Sequence, residues 1–162
     1  MERATVHGVH ASLTSVKITV TGVPDGAAIF RVIADQGIVP GLVSGARTAI
    51  AFTVARSAGP VVLAALRAAR ARIGFDRVDL DDRVAVITVT GAGLRTDPVI
   101  PATFCEVLTR EGVRLELVSF EGSRMSVACG RGRLEAAARA LCEVFEVGAS
   151  PTTSDGHLPV VT

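Results

Sequence analysis

The chain has 162 residues, 49% of them hydrophobic and 20% charged, with seventeen basic side chains against sixteen acidic ones and a formal net charge of +1. That length holds one mid-sized domain or two small ones. The balanced charge and the 4% of aromatics, with no Trp or Tyr, exclude a binder driven by counterion release and a platform for stacking bases. Met1-Glu2-Arg3 leads into no hydrophobic signal stretch, no apolar run approaches the ~20 residues that span a bilayer, and a cytoplasmic location is expected.

The elements follow in chain order. Thr5–His10 is strand-like. Lys17–Val23 is a second β-branched run, followed by a Gly/Pro loop and a helix over Ala27–Gln36, with Gly37 where a left-handed C-terminal residue belongs. Strands are predicted over Val39–Ser44 and Thr48–Val54, then an Ala/Leu-rich helix over Gly59–Ile73. On that helix Arg67, Arg70 and Arg72 read as a solvated face. Arg77–Leu80 supplies a short strand before Asp81-Asp82 turns the chain. Val84–Ala92 then opens the same series: a helix over Pro101–Glu111 stopped by Gly112, strands over Arg114–Phe120 and Arg124–Ala128, and a helix over Arg133–Phe145. Gly148–Thr162, rich in Gly, Ser, Thr and Pro, is expected to be a flexible tail.

Two copies of one unit are visible in the letters themselves. Ile18-Thr19-Val20-Thr21-Gly22 recurs as Ile87-Thr88-Val89-Thr90-Gly91, and Leu42-Val43-Ser44 recurs as Leu117-Val118-Ser119. A period of about 70 residues is too long for a solenoid repeat and fits a duplicated domain. Each copy reads βαββα, and each needs one more strand. Arg77–Leu80 completes the first copy. The tail is poor strand material, whereas Thr5–His10 is unassigned, so the N-terminal strand completes the second copy. The expected class is α+β, two ferredoxin-like βαββαβ units with helices on one face of antiparallel sheets: residues 16–82, then 5–11 with 83–147, leaving 148–162 as the tail.

Chemistry-bearing patterns are sparse. Cys105, Cys129 and Cys142 are widely spaced among apolar residues and read as reduced thiols rather than zinc ligands. His7 and His10 stand three apart on a strand, a spacing that alternation puts on opposite faces. Asp79, Asp81 and Asp82 fit a turn beside a strand better than an acid–base pair. Gly91-Ala92-Gly93 lacks the third glycine of a dinucleotide loop, since Thr96 stands there. No metal, cofactor or catalytic residue is assigned.

Several segments together resemble the tandem ACT regulatory region of aspartate kinases. They are Val6-His7-Gly8-Val9, Val16 to Asp25, Phe52 to Ser57, Asp81-Asp82, Gly91 to Pro98, Glu116 to Ser119 and Ala137 to Leu141, in order, from about Val6 to Gly148. The resemblance implies an N-terminal strand donated to the second ACT unit, side-by-side dimers, and threonine or lysine bound at unit interfaces to control an attached or partner kinase domain. Carried onto this chain, the effector positions are Pro24, Asp25, Gly26 and Ala27 with Val39, Pro40, Gly41 and Leu42 in the first unit, and Thr96 and Asp97 with Arg114, Leu115 and Glu116 in the second. Here the sequence departs from the family pattern. The loop after Pro24-Asp25 is about four residues short, and the family's Asn-Ile-Asp and Asn-Ile-Glu become Val39-Pro40-Gly41 and Arg114-Leu115-Glu116. The side chains that would read a zwitterion are depleted, so the expectation is a non-catalytic, homodimeric ACT-pair regulator with an altered effector site. It would sense a small molecule or accompany a separate kinase or biosynthetic subunit, with no nucleic acid or membrane partner. The alternative is an ACT-like scaffold recruited as an enzyme or binding protein for a hydrophobic metabolite.

Overall fold

The computed structural model describes residues 4–148 together with Ser150 and Thr152; the rest of the expected tail lies outside the described residues. The chain divides into two compact units, one formed by Ser15–Arg83 and the other by the residues on either side of that stretch. We call them the inserted unit and the split unit.

In the inserted unit the elements run β2 (Ser15–Thr21), α1 (Gly26–Asp35), β3 (Val43–Gly45), β4 (Ala49–Ala55), α2 (Gly59–Ile73) and β5 (Arg77–Asp81), with a 3₁₀ turn at Arg56–Ala58. Its sheet order is β3-β4-β2-β5 and every pairing is antiparallel. Alternation along β2 sends Val16, Ile18 and Val20 into a core shared with Ile29 and Ile33 of α1, Phe52 and Val54 of β4, and Val62 and Leu66 of α2. Lys17, Thr19 and Thr21 point the other way. Gly37, at φ 70°, lies just beyond α1 and adopts the left-handed conformation that a side chain would resist.

The split unit repeats this plan with one strand taken from the far end of the chain. Its elements are β1 (Thr5–Ser12), β6 (Val84–Ala92), α3 (Val99–Arg110), β7 (Val118–Phe120), β8 (Arg124–Gly130) and α4 (Leu134–Phe145). The sheet order is β1-β6-β8-β7, so β1 holds the edge position that β5 holds in the other sheet. It pairs antiparallel with β6, Val9 facing Val89 and Ser12 facing Val86, with a register irregularity between Val6 and Gly8. Val9 and Ala11 enter the core beside Ile87, Val89, Phe104, Leu108, Val127 and Leu141. The predicted strand donation is therefore the observed topology.

The predicted strands over Val39–Ser44 and Arg114–Phe120 are shorter in the structure, three residues each. Pro40 has no amide hydrogen to give a ladder. The predicted helix at Pro101 begins two residues earlier, at Val99. Pro101 is accommodated because amides of the first turn have no helical partner to lose. Arg67, Arg70 and Arg72 are exposed on α2, as the periodicity implied. Among the described residues no helix is long and apolar enough to cross a membrane.

Candidate functional site

In each unit the residues singled out from the sequence fall in two places: a corner where the loop from the first strand enters a helix, and a segment beyond that helix. In the inserted unit the corner lies by Thr48 and Ile50 at the start of β4 and the segment by Thr53 nearer its end. In the inserted unit, Asp25 stands at the start of α1 and its Oδ1 accepts the amide of Ala27 at 3.0 Å. This is the side-chain capping a helix start requires, since its first amides have no partner within the helix. Gly26 is packed so closely that an added Cβ would come within 2.8 Å of Ile50 Cδ1. Val23 donates its amide to Thr48 O at 3.0 Å, tying this loop to the entry of β4.

The companion segment Val39-Pro40-Gly41-Leu42 is held by Thr53. Gly41 N donates to Thr53 O at 2.8 Å, Thr53 N to Leu42 O at 2.9 Å, and Leu42 N to Thr53 Oγ1 at 2.9 Å. Thr53 is only 3% exposed, so its hydroxyl must find partners, and this segment supplies one. Gly41 is required there, because a Cβ would sit 2.6 Å from Thr53 Oγ1. Val39, in contrast, is 84% exposed. Thr53 was not among the residues chosen from the sequence. The available signal was a hydroxyl within the otherwise apolar run Ala49–Ala55, facing away from the core.

The split unit builds the equivalent corner with different side chains. Gly93 takes φ 61°, Thr96 returns its amide and hydroxyl to Gly93 O at 2.9 and 2.7 Å, and Asp97 Oδ1 accepts the amide of Val99 at 2.9 Å. Asp97 thus does for α3 what Asp25 does for α1. Ala128 N donates to Leu117 O at 2.9 Å, the counterpart of Thr53 and Leu42. Ala128 has no hydroxyl, so the side-chain staple is missing. Arg114 Nη1 and Glu116 Oε1 form a pair at 3.2 Å on the surface, a geometry that contributes little stability and leaves both groups reachable from solvent. Leu115 between them is exposed, as is Val99 at the start of α3.

The two units differ chemically. The first offers a helix start with one carboxylate already engaged in capping and, beyond the helix, apolar Val39, Pro40 and Leu42. The second offers a helix start with a hydroxyl and a carboxylate and, beyond the helix, a carboxylate and a guanidinium. Elsewhere, His10 Nε2 lies 3.2 Å from Thr90 Oγ1. Asp79 pairs with exposed Arg77, and Asp81 accepts the amide of Arg83 at 2.9 Å in a turn. All three cysteines are free thiols, and burial pushes Cys129 up to about 11.

Two four-stranded antiparallel sheets of the same strand order, each carrying two helices on one face and one completed by a donated strand, define a tandem ACT pair. No protein-family model matches the chain. Curated relatives and solved structures do. An aspartokinase of Mycobacterium tuberculosis is 35% identical over 159 residues, covering 91% of this chain and 38% of that protein. The crystal structure of the regulatory subunit of aspartate kinase from Thermus thermophilus, in its ligand-free form, superposes with a TM-score of 0.80 at 29% identity, covering 86% of this chain and 97% of that one. A crystal structure of aspartokinase alpha and beta subunits gives 0.81 at 28% identity, covering 88% and 99%. Over nearly its whole length the chain is similar to the tandem ACT regulatory region of aspartate kinases. It spans a little over a third, 38%, of the length of the curated aspartokinases it matches.

Proposed function

We propose that this chain is a non-catalytic regulator that dimerises with its own kind, associates with an aspartate-kinase catalytic chain, and reads a small molecule through an altered site. The residues carried over from the family pattern, Pro24–Ala27 with Val39–Leu42 and Thr96–Asp97 with Arg114–Glu116, are the proposed contacts. Support for kinase association comes from the likeness to a regulatory subunit and to paired alpha and beta subunits at 28–29% identity.

One observation carries the altered-site reading: among the carried-over residues of the inserted unit the single ionised side chain, Asp25, is already occupied in capping α1, and Val39-Pro40-Gly41-Leu42 brings no polar side chain. An α-amino acid needs acceptors for its ammonium and donors for its carboxylate. Enclosing it without them costs several kcal/mol. The carried-over residues of the inserted unit therefore favour a ligand with more apolar surface than threonine or lysine, and those of the split unit supply the charged contacts.

Thermal-shift and calorimetric titration against amino acids and less polar amino-acid-like metabolites tests this, because a ligand of the native state must stabilise it. The expected result is a rise in Tm with apolar members of the panel and none with threonine or lysine. Tight binding of threonine or lysine sinks the altered-site reading. No response to any ligand, combined with no co-migration with an aspartate-kinase catalytic chain, sinks the regulatory one. Sedimentation gives the oligomeric state, and a monomer at micromolar concentration removes the dimer.

A further inference from the structure

Within the split unit, away from its corner, a cavity of about 870 Å³ opens between the outer edge of β1 and the flank of α4. This is the size of a small-molecule site. Its floor is apolar: Val9 and Ala11 of β1 and Leu13 just beyond it, with Leu134 and Ala138 of α4. Its charges are unevenly distributed. Arg139 is neutralised one turn away by Glu135, Nη2 to Oε1 at 2.8 Å. Glu143 and Glu146 also line the cavity, and among the described residues their carboxylates have neither a hydrogen bond nor an ion pair.

Those two carboxylates stand at the C-terminal end of α4, where the unpaired carbonyls already carry partial negative charge and a cation is favoured. Yet the last turn holds no basic residue. The remaining guanidinium of the lining, Arg131, precedes the helix by a few residues. Twelve positions separate it from Glu143, about 18 Å at helical rise, too far to compensate the carboxylates. The Cys142 thiol beside them registers the same field: burial first, and then the Glu143 carboxylate, raise it above its ordinary value.

We propose that this cavity is a second small-molecule site, for an amphipathic amine, with its ammonium at the Glu143 and Glu146 carboxylates and its aliphatic tail over Val9, Ala11 and Ala138. It is separate from the corner residues of the regulatory reading, so each can fail without the other.

The test uses the full chain and two probes of equal tail length and opposite charge, n-octylammonium and octanoate, both below their micellar concentrations. At tenfold excess over its dissociation constant, n-octylammonium raises Tm by about 2 °C or more, while octanoate leaves it unchanged. The Glu143→Gln/Glu146→Gln double variant, altered only on the surface, keeps its own Tm and loses at least tenfold in affinity for the amine. Ala138→Phe, which fills the cavity, abolishes the response. Equal stabilisation by octanoate, no stabilisation by the amine, or an undiminished response in the double variant overturns the proposal.

Discussion

Replacing Val9 by Ala puts the donated strand to a quantitative test. Val9 is 2% exposed, lies opposite Val89, and contributes to a core with Leu141 of α4 and Ile87 of β6. The substitution removes two methyl groups, worth about 0.8 kcal/mol each in transfer from water. The void that remains adds to this, for a total of about 2 kcal/mol. At about 1.4 kcal/mol per factor of ten, amides that exchange through opening of the split unit should lose protection roughly 30-fold. Native-state hydrogen exchange reads this residue by residue. The loss is expected on β6, β8 and α4, at positions 75 or more residues away in sequence from the change. Unchanged protection on β6 and α4 refutes the reasoning, because a strand that does not build that core cannot weaken it.

Three further outcomes are expected. Asp25→Ala and Asp97→Ala each remove a carboxylate that accepts a helix-start amide, costing about 1 kcal/mol and lowering Tm by roughly 2–4 °C in a melt. A melt that does not move shows that water replaces the cap. Thr53→Val leaves the Leu42 amide without its hydroxyl acceptor, a loss of about 1–3 kcal/mol, visible as faster exchange at Leu42. Thr53→Ser restores the bond and should restore protection. Finally, burial raises Cys129 from 9.0 to about 11. The unfolded thiol ionises first, so the unfolded state binds fewer protons and stability falls as pH rises from about 9 to about 11, with no effect below pH 8. The full loss approaches about 3 kcal/mol. Urea melts at pH 8 and pH 10.5 measure it, and Cys129→Ala should flatten the difference.

The duplication was legible because it is written in residue types that packing demands. Ile18 and Val20, like Ile87 and Val89, must alternate inward whatever else changes. The donated strand was legible by elimination, since β-branched residues near the start had no partner and the Gly/Ser/Thr/Pro-rich end could not serve. Gly37 and Gly112, at φ 70° and 76° beyond α1 and α3, announced the helix ends through backbone stereochemistry alone. Strand lengths were less readable. In Val39–Leu42 the apolar letters suggested a strand, but Pro40 lacks a donor and the segment is tied to β4 at Thr53, by two backbone bonds and one to its hydroxyl. The role of Thr53 depends on a contact eleven residues away, which no local period encodes. The cavity beside α4 was also invisible, because it is formed by residues from opposite ends of the chain.

The donated strand has a consequence for how such a chain is assembled. Ser12 faces Val86 across adjacent antiparallel strands, the geometry of an ordinary hairpin whose turn has been replaced by a whole domain. Where that domain begins and ends, a single side chain closes the seam: Arg56 Nη2 donates to Ser15 O at 3.5 Å and to Asp82 O at 3.1 Å. The guest is thus a cassette with both ends at one point, spliced into its host at a turn, the kind of place where extra length is cheap. Excising residues 15–83 and bridging the gap with a few glycines would return the host to a plain hairpin, and the cassette could be exchanged for another without redrawing the sheet that carries it.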